Sequence, residues 1–350
     1  MVPAKSHRPA YLDCAASTPV RSSVLDSMLP YLTEHFGNPS GAHRMARSSR
    51  AAIDDARDIC AGALGFDPHG IVFTSGGTES DNLAIHGACG AQGRAICPET
   101  EHHAVLYPVE AHNGCFVKVT ETGDIDLDHF ETLLDLDLSI ISVMLVNNES
   151  GRVIDLEPIA DLRDRFAPQA LLHTDAVQAV NWLDIAAAAE RADMVSLSGH
   201  KFGAPKGVGV LAIRKQVGIT PQLLGGGQEA ERRSGTHNTA GIVALGAAIQ
   251  CLHESRASEI ERLGSLSTRL AEGLTAAIPR CYETVPRSHR AAGILQLVVE
   301  GIESEALLVL LERHDIMASA AASCASGAMD PSHVLAAMGF ERAAAAGALR

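Results

Sequence analysis

From about residue 50 to residue 215, short apolar runs alternate with helix-length segments, and this alternation limits the fold more than any other feature of the chain. Residues 71–74, 94–97, 140–146, 171–174, 194–197 and 209–213 have the length and apolarity of buried strands. Residues 79–88, 104–113 and 157–166 read as helices between them. Such alternation builds a mostly parallel sheet with helices on both faces, an α/β fold. After Gly241 the pattern changes. Helices are expected over 242–253 and 259–277, then a strand over 293–300, a helix over 303–314 and a strand over 316–319. This reads as a smaller α+β domain. The boundaries expected are 15–255 for the large domain, with 1–14 and 256–350 forming the small one. The alanine runs 186–189 and 343–346 read as helix. The chain stops at Arg350 as if entering a strand, with nothing after it to cover that strand.

Composition narrows the function. A formal charge of −14 argues against an extended nucleic-acid surface, although residues 44–50 concentrate arginines. No apolar run reaches the length of a membrane span, and the first residues lack a secretory apolar core. The eight cysteines are scattered without a Cys-x-x-Cys pair, so neither a zinc site nor a disulfide framework is expected. A reducing cytoplasm is the expected location.

The chemistry concentrates around Lys201, in Ser198-Gly199-His200-Lys201 after an apolar run. An amine held on a Gly-rich turn, desolvated enough to lose its proton, is what pyridoxal phosphate (PLP) requires, because its aldehyde condenses with that amine. Lysines number only five (5, 118, 201, 206 and 215), so candidates are few. Upstream, Asp175-Ala-Val-Gln178 ends another apolar run. A carboxylate there can pair with a pyridinium nitrogen and keep the ring an electron sink.

Other runs admit two readings. Ser75-Gly76-Gly77-Thr78 is a Gly-rich turn before a helix, suited to an anion or to simple helix capping. It lacks the Gly-Lys-Ser/Thr ending of a nucleotide-binding P-loop. Glu101-His102-His103 can place an imidazole on a ring or merely on the surface. Asn147-Asn148-Glu149 can contact a ligand or cap a turn. Arg232-Arg233-Ser234-Gly235-Thr236 can bind an anion or be a solvated loop. Cys324 sits in a small-residue-rich segment with few anchors, unlike the other cysteines, which read as small hydrophobes. A thiol on such a segment can attack a substrate atom and carry the product away.

Together these runs closely resemble the cysteine desulfurases, the NifS/IscS-like family of fold-type I PLP enzymes. The resemblance spans nearly the whole chain: Tyr11-Leu12-Asp13, Phe36-Gly37-Asn38-Pro39, Thr74 to Asn82, Glu101-His102, Val146 to Glu149, Asp175 to Gln178, Ser198 to Lys201, Arg233 to Thr236, and Ser323-Cys324 with Pro331-Ser332-His333. It implies that Lys201 holds the cofactor and shuttles the Cα proton, and that Asp175 pairs with the ring nitrogen. Gln178 would meet O3′, and His102 would stack on the ring. Gly77, Thr78, Ser198 and His200 would hold the phosphate, with Thr236 supplied by the second subunit of a homodimer. Asn148 would lie near cofactor and substrate, and Arg350 would bind the substrate carboxylate. Cys324 would take sulfur from L-cysteine as a persulfide, leaving L-alanine, and pass it to an acceptor protein. Iron–sulfur assembly, tRNA thiolation and DNA phosphorothioation all begin this way. The same implications leave room for a selenocysteine lyase, a PLP aminotransferase or an inactive dimeric scaffold. The chain departs from the family at Cys14, where Asn is common, at Ala320-Ala-Ala-Ser-Cys324, and in lacking a final strand and helix.

Overall fold

The structure is a computed structural model that describes residues 9–320 and 332–350. Its strands, in chain order, are β1 (Ala10–Tyr11), β2 (Ile71–Thr74), β3 (Arg94–Pro98), β4 (Cys115–Val117), β5 (Leu138–Ser142), β6 (Leu171–Asp175), β7 (Met194–Ser198), β8 (Gly209–Ile213), β9 (Cys281–Glu283), β10 (Leu297–Val299), β11 (Ile316–Met317) and β12 (Ala348–Leu349). Seven of them form one sheet in the order β2-β8-β7-β6-β5-β3-β4. Strand β8 runs antiparallel to both neighbours, and every other pairing in that sheet is parallel. The other six strands therefore end at the same edge. Open α/β sheets bind ligands outside those carboxyl ends.

The strands are mostly apolar and almost wholly buried because both faces are covered. Neighbouring residues enter opposite cores, as the two-residue period of a strand requires. Phe73, Ile141 and Val195 join one core; Val72, Ile140 and Met194 join the other. Leu83 and Ile85 of helix Gly77–Cys89 and Val105 and Val109 of helix His103–Ala111 complete the second core. The first takes Ile53 and Ala56 of helix Arg44–Leu64, Ile159 of helix Glu157–Phe166, and Leu245 and Ala248 of helix Thr239–Ala277. Each such side chain stabilises the fold by about 1.5–3 kcal/mol when fully buried, less for alanine.

The long helices differ from the sequence expectation. The helices expected over 242–253 and 259–277 are one helix, Thr239–Ala277. Glu254-Ser-Arg-Ala-Ser258 contains neither Gly nor Pro, so nothing stops the helix there. Its apolar stripe fades because its buried residues run to Leu252 and resume only at Ala271. The cationic stretch 44–50 is the start of a 21-residue helix. Its Ala/Ile stripe packs on helix Thr239–Ala277 so closely that a Cβ on Gly246 would lie 3.1 Å from the Ala56 Cβ.

A second, antiparallel sheet has the order β12-β10-β9. Val285, Val298, Leu335 and Met338 form its core. The chain's last residues are more firmly held than their sequence suggests. Ala348 and Leu349 pair with Val298 and Leu297. The Arg350 N–H donates to the Ser319 carbonyl at 2.8 Å, and the Ser319 N–H returns a bond at 3.1 Å. Among the described residues no helix is long and apolar enough to cross a membrane.

Candidate active site

A cavity of about 310 Å³ opens where the parallel strands end. Asp175 is the last residue of β6 and Ser198 the last of β7. The β2 end leads into the start of helix Gly77–Cys89, the β3 end into His102, and the chain after β5 into Met144 and Asn148. Gly77, Thr78, His102, Asn148, Asp175, Gln178, Ser198, His200, Lys201 and Arg350, scattered along the sequence, all line this space.

At one end, helix Gly77–Cys89 points its N-terminus into the cavity, and its N-cap Gly76 contributes no capping side chain. Unsatisfied N–H groups and the helix dipole favour an anion there. Gly77 is required by space, since a Cβ would sit 2.9 Å from Val177 Cγ2. His200 shares a hydrogen bond with Ser17 Oγ at 3.2 Å through Nδ1. Burial, then the charges of Lys201 and Lys206, push His200 down to about 4. Near neutral pH it is an uncharged hydrogen-bonding ring.

Lys201 follows β7 in the single helical turn Gly199–Lys201. Its Nζ donates to the carbonyls of Ala15 at 2.7 Å and Ala16 at 2.9 Å. The chain reverses at Gly203, whose φ of +92° and contact with Arg21 leave no room for a side chain. Segment 13–18 thus straps the lysine from the far N-terminal side. Gln178 Nε2 donates to Ala15 O at 2.8 Å, and Thr18 Oγ1 to His200 O at 2.8 Å.

Below the lysine lies a buried acidic layer. Asp175 accepts from the Val177 N–H at 2.8 Å, yet burial pushes its carboxyl up to about 6, opposed by that bond and by Lys201. Burial and Asp175 also raise Asp81 and Glu101 well above the carboxylate range. Asp81 Oδ1 and Glu101 Oε2 have no hydrogen-bond partner among the described residues. A cation placed beside Asp175 would relieve this layer. His102 caps helix His103–Ala111 through Nδ1, which accepts from the Ala104 N–H at 3.1 Å. Burial, then Lys201, His103 and His333, lower it to about 4, so its ring is neutral.

The opposite end is built from distant parts. Arg350 Nη1 donates to Asn148 O at 2.8 Å, and Nη2 to Asp13 Oδ1 at 2.8 Å. The neighbouring Asn147 is spent on its turn: it donates to Thr100 O and accepts from Glu149, Ser150 N–H and Ser150 Oγ.

Not every candidate meets the cavity. Thr236 is exposed and outside the cavity of its own chain. Arg233 is spent on Glu79, at 2.7 and 3.2 Å, and Arg232 on His69 O at 2.6 Å. The loop before Thr236 holds three consecutive positive-φ residues, Glu229, Ala230 and Glu231. Such backbone costs about 1–3 kcal/mol per residue and persists only when held in place. Buried Glu229 is the anchor, bonded to Arg57 Nη2 at 2.7 Å, His237 Nε2 at 2.8 Å and the Phe73 N–H at 2.9 Å. Burial opposes its ionisation, but these donors, led by His237, hold it down to about 2. Cys324 lies outside the described residues.

The sequence did not single out Asp13, Ala15, Ala16 or Asp81 as lining residues. Asp13 stands in a recognisable Tyr-Leu-Asp run, but its partner Arg350 is 337 positions away.

The aminotransferase class-V family matches residues 10–346. The chain is 40% identical to "Cysteine desulfurase IscS" of Methanosarcina thermophila over 353 residues, covering 98% of this chain and 87% of that protein. A solved "NIFS-LIKE PROTEIN" superposes with a TM-score of 0.91 at 31% identity, over 97% of this chain and 92% of the other. A structure described as "SspA in complex with cysteine" superposes with a TM-score of 0.82 at 32% identity, over 97% of both chains. The matched length, the identity and a sheet with its site at the strand ends agree: this chain belongs to the aminotransferase class-V family, as an enzyme of its IscS/NifS-like cysteine desulfurase branch.

Proposed function

We propose that the cavity binds PLP on Lys201 and uses it to convert L-cysteine to L-alanine, the sulfur leaving as a persulfide on Cys324. The observation carrying this reading is one cavity that joins an amine, a strand-end carboxylate raised by burial and a helix N-terminus. Those groups fit the three ends of the cofactor: Lys201 its aldehyde carbon, Asp175 its ring nitrogen, and Gly77, Thr78, Ser198 and His200 its phosphate. His102, neutral by its lowered pKa, would stack on the ring, with Gln178 and Asn148 beside it. When bound, PLP supplies an electron sink for the charge left at the substrate Cα.

The protein's own residues do the rest. Arg350 holds the substrate carboxylate through parallel donors. The Lys201 amine takes the Cα proton and returns it. Asp175 would balance the charge of a protonated ring nitrogen, which would keep its carboxyl ionised despite burial. The Cys324 thiolate attacks the substrate sulfur; the S–S bond forms as the C–S bond breaks, and its electron pair stays with the carbon fragment that becomes alanine. Cys60, Cys89, Cys97 and Cys281 are unsuited to this role, because burial raises each thiol above its usual range.

The same reading includes a homodimer. Exposed Leu25, Leu29, Leu32 and Phe36 recur at helical spacing, and Leu224 is 83% exposed. These are surfaces suited to a second copy, and Thr236, exposed on its own chain, is available to that copy's site. It also keeps the domain divide near residue 255 along helix Thr239–Ala277, a cytoplasmic location, and delivery of sulfur to an acceptor protein.

Borohydride reduction of the purified protein followed by peptide mapping tests the cofactor site, and Cys324→Ser tests the carrier. The expected result is cofactor fixed on Lys201, with Cys324→Ser retaining the cofactor but releasing no sulfide from cysteine. Labelling on Lys206, or wild-type sulfide release by Cys324→Ser, would overturn the reading.

A further inference from the structure

Arg350 is already engaged before any substrate arrives. Its side chain is 9% exposed and paired with Asp13, itself 23% exposed, at 2.8 Å. Its other terminal nitrogen is tied to Asn148 O, and its backbone to Ser319. Nε is buried without an acceptor among the described residues. The guanidinium is therefore fixed from behind, and one of its donors faces a carboxylate of the protein inside the cavity wall.

A substrate α-carboxylate brings a second negative charge to this place. It gains most from two parallel guanidinium donors, and Asp13 holds one of them. Keeping both carboxylates on one cation costs repulsion that is little screened in a half-buried site. We infer that Asp13 is a specificity-determining residue: it holds Arg350 in a resting ion pair that the substrate carboxylate must displace, and so sets the affinity of the site for amino acids. The inference rests on the proposal that Arg350 binds that carboxylate. Asn148 O and the Ser319 pairing keep Arg350 in place when Asp13 lets go. Removing the Asp13 charge thus frees the cation without releasing it from the wall.

The test is calorimetric titration of the cofactor-loaded protein with L-alanine, which has the carboxylate but no sulfur. Cysteamine, which has the amine and sulfur but no carboxylate, is the control. Asp13→Asn should tighten L-alanine about tenfold, the range measured for half-buried charge pairs, and leave cysteamine unchanged. The KM for cysteine should fall correspondingly, with the change carried by KM more than by kcat. Asp13→Glu, which keeps the charge, should bind L-alanine as the wild type does. Unchanged or weaker L-alanine binding by a fully loaded Asp13→Asn protein would overturn the inference, because Asp13 would then orient Arg350 rather than compete for it. Arg350→Gln separates the two claims. If it weakens L-alanine while Asp13→Asn changes nothing, the carboxylate site stands and the gating role falls. If Arg350→Gln leaves L-alanine binding intact, the carboxylate site itself falls and the inference with it.

Discussion

The two ends of the cavity are built in different ways. The lysine and anion end stands on strand termini of one parallel sheet: Asp175 closes β6, Ser198 closes β7, and Lys201 follows three residues later. The hydrogen-bond ladder and two cores fix these positions. The carboxylate end joins Asp13, Asn148 and Arg350 from three remote segments, held by two side-chain hydrogen bonds and a two-residue strand. A cofactor site must be permanent and rigid. A substrate site must exchange its occupant at every turnover, and its weaker fastening suits that.

The largest expected effect breaks the rigid end. Lys201→Ala removes both cofactor attachment and the proton carrier. Turnover of cysteine should fall at least about 10³-fold, since general base and covalent roles are lost together. The Arg350 end should survive, and far-UV dichroism should be unchanged.

Asp175→Asn comes next and acts with opposite signs on activity and stability. Activity should fall about 10²-fold, and the cofactor should dissociate more readily, because a neutral amide no longer balances the ring nitrogen. The cofactor-free protein should become more stable. Asp175 is raised in the fold to about 6 from about 3.9 in the unfolded chain, so its favourable contribution is complete below the lower value and is lost as pH rises through 6. Urea melts of the cofactor-free variant should show the gain at pH 8 and none at pH 4.

Arg350→Gln probes the other end. Loss of a charge-assisted carboxylate contact is worth about 1.5–3 kcal/mol, so the KM for cysteine should rise about 10–100-fold. Cofactor loading, read from visible absorbance, should not change. Loss of cofactor in this variant would show that the two ends are not separately built.

The smallest effect concerns the strained loop before Thr236. Glu229→Gln weakens the anchor of three positive-φ residues and should cost about 1–3 kcal/mol at pH 7. Glu229 is held down to about 2, so its contribution is present above the ordinary glutamate value and is lost as pH falls through 2. The difference between variant and wild type in urea melts should therefore shrink in acid.

This contrast also explains what the sequence revealed. The rigid end was legible because each contribution is a short contiguous run at the end of an apolar strand: Gly77-Thr78, Asp175 to Gln178, Ser198 to Lys201. The central strands were legible for the same reason, being buried on both faces. The strap of Ala15 and Ala16 over Lys201 was not, because backbone carbonyls have no sequence signature. Asp81 gave no separate signal, because a single polar residue in a helix does not announce its own burial, yet it is buried beneath the site. The Asp13–Arg350 pair was half legible. Asp13 lies in a recognisable Tyr-Leu-Asp run and Arg350 was expected only through the family resemblance, and only the closing of β12 on β10 brings them together. The length of helix Thr239–Ala277 was hidden because half of it leaves the core that creates a periodic stripe.

The central claim is that sulfur leaves cysteine on one particular thiol. The direct measurement is peptide mass mapping of the cofactor-loaded protein after brief exposure to L-cysteine, with trapping of persulfides and assay of L-alanine. The account predicts one extra sulfur on the peptide carrying Cys324 and L-alanine in equal amount. Sulfur on the exposed Cys14, or L-alanine formed with Cys324 unmodified, would contradict it.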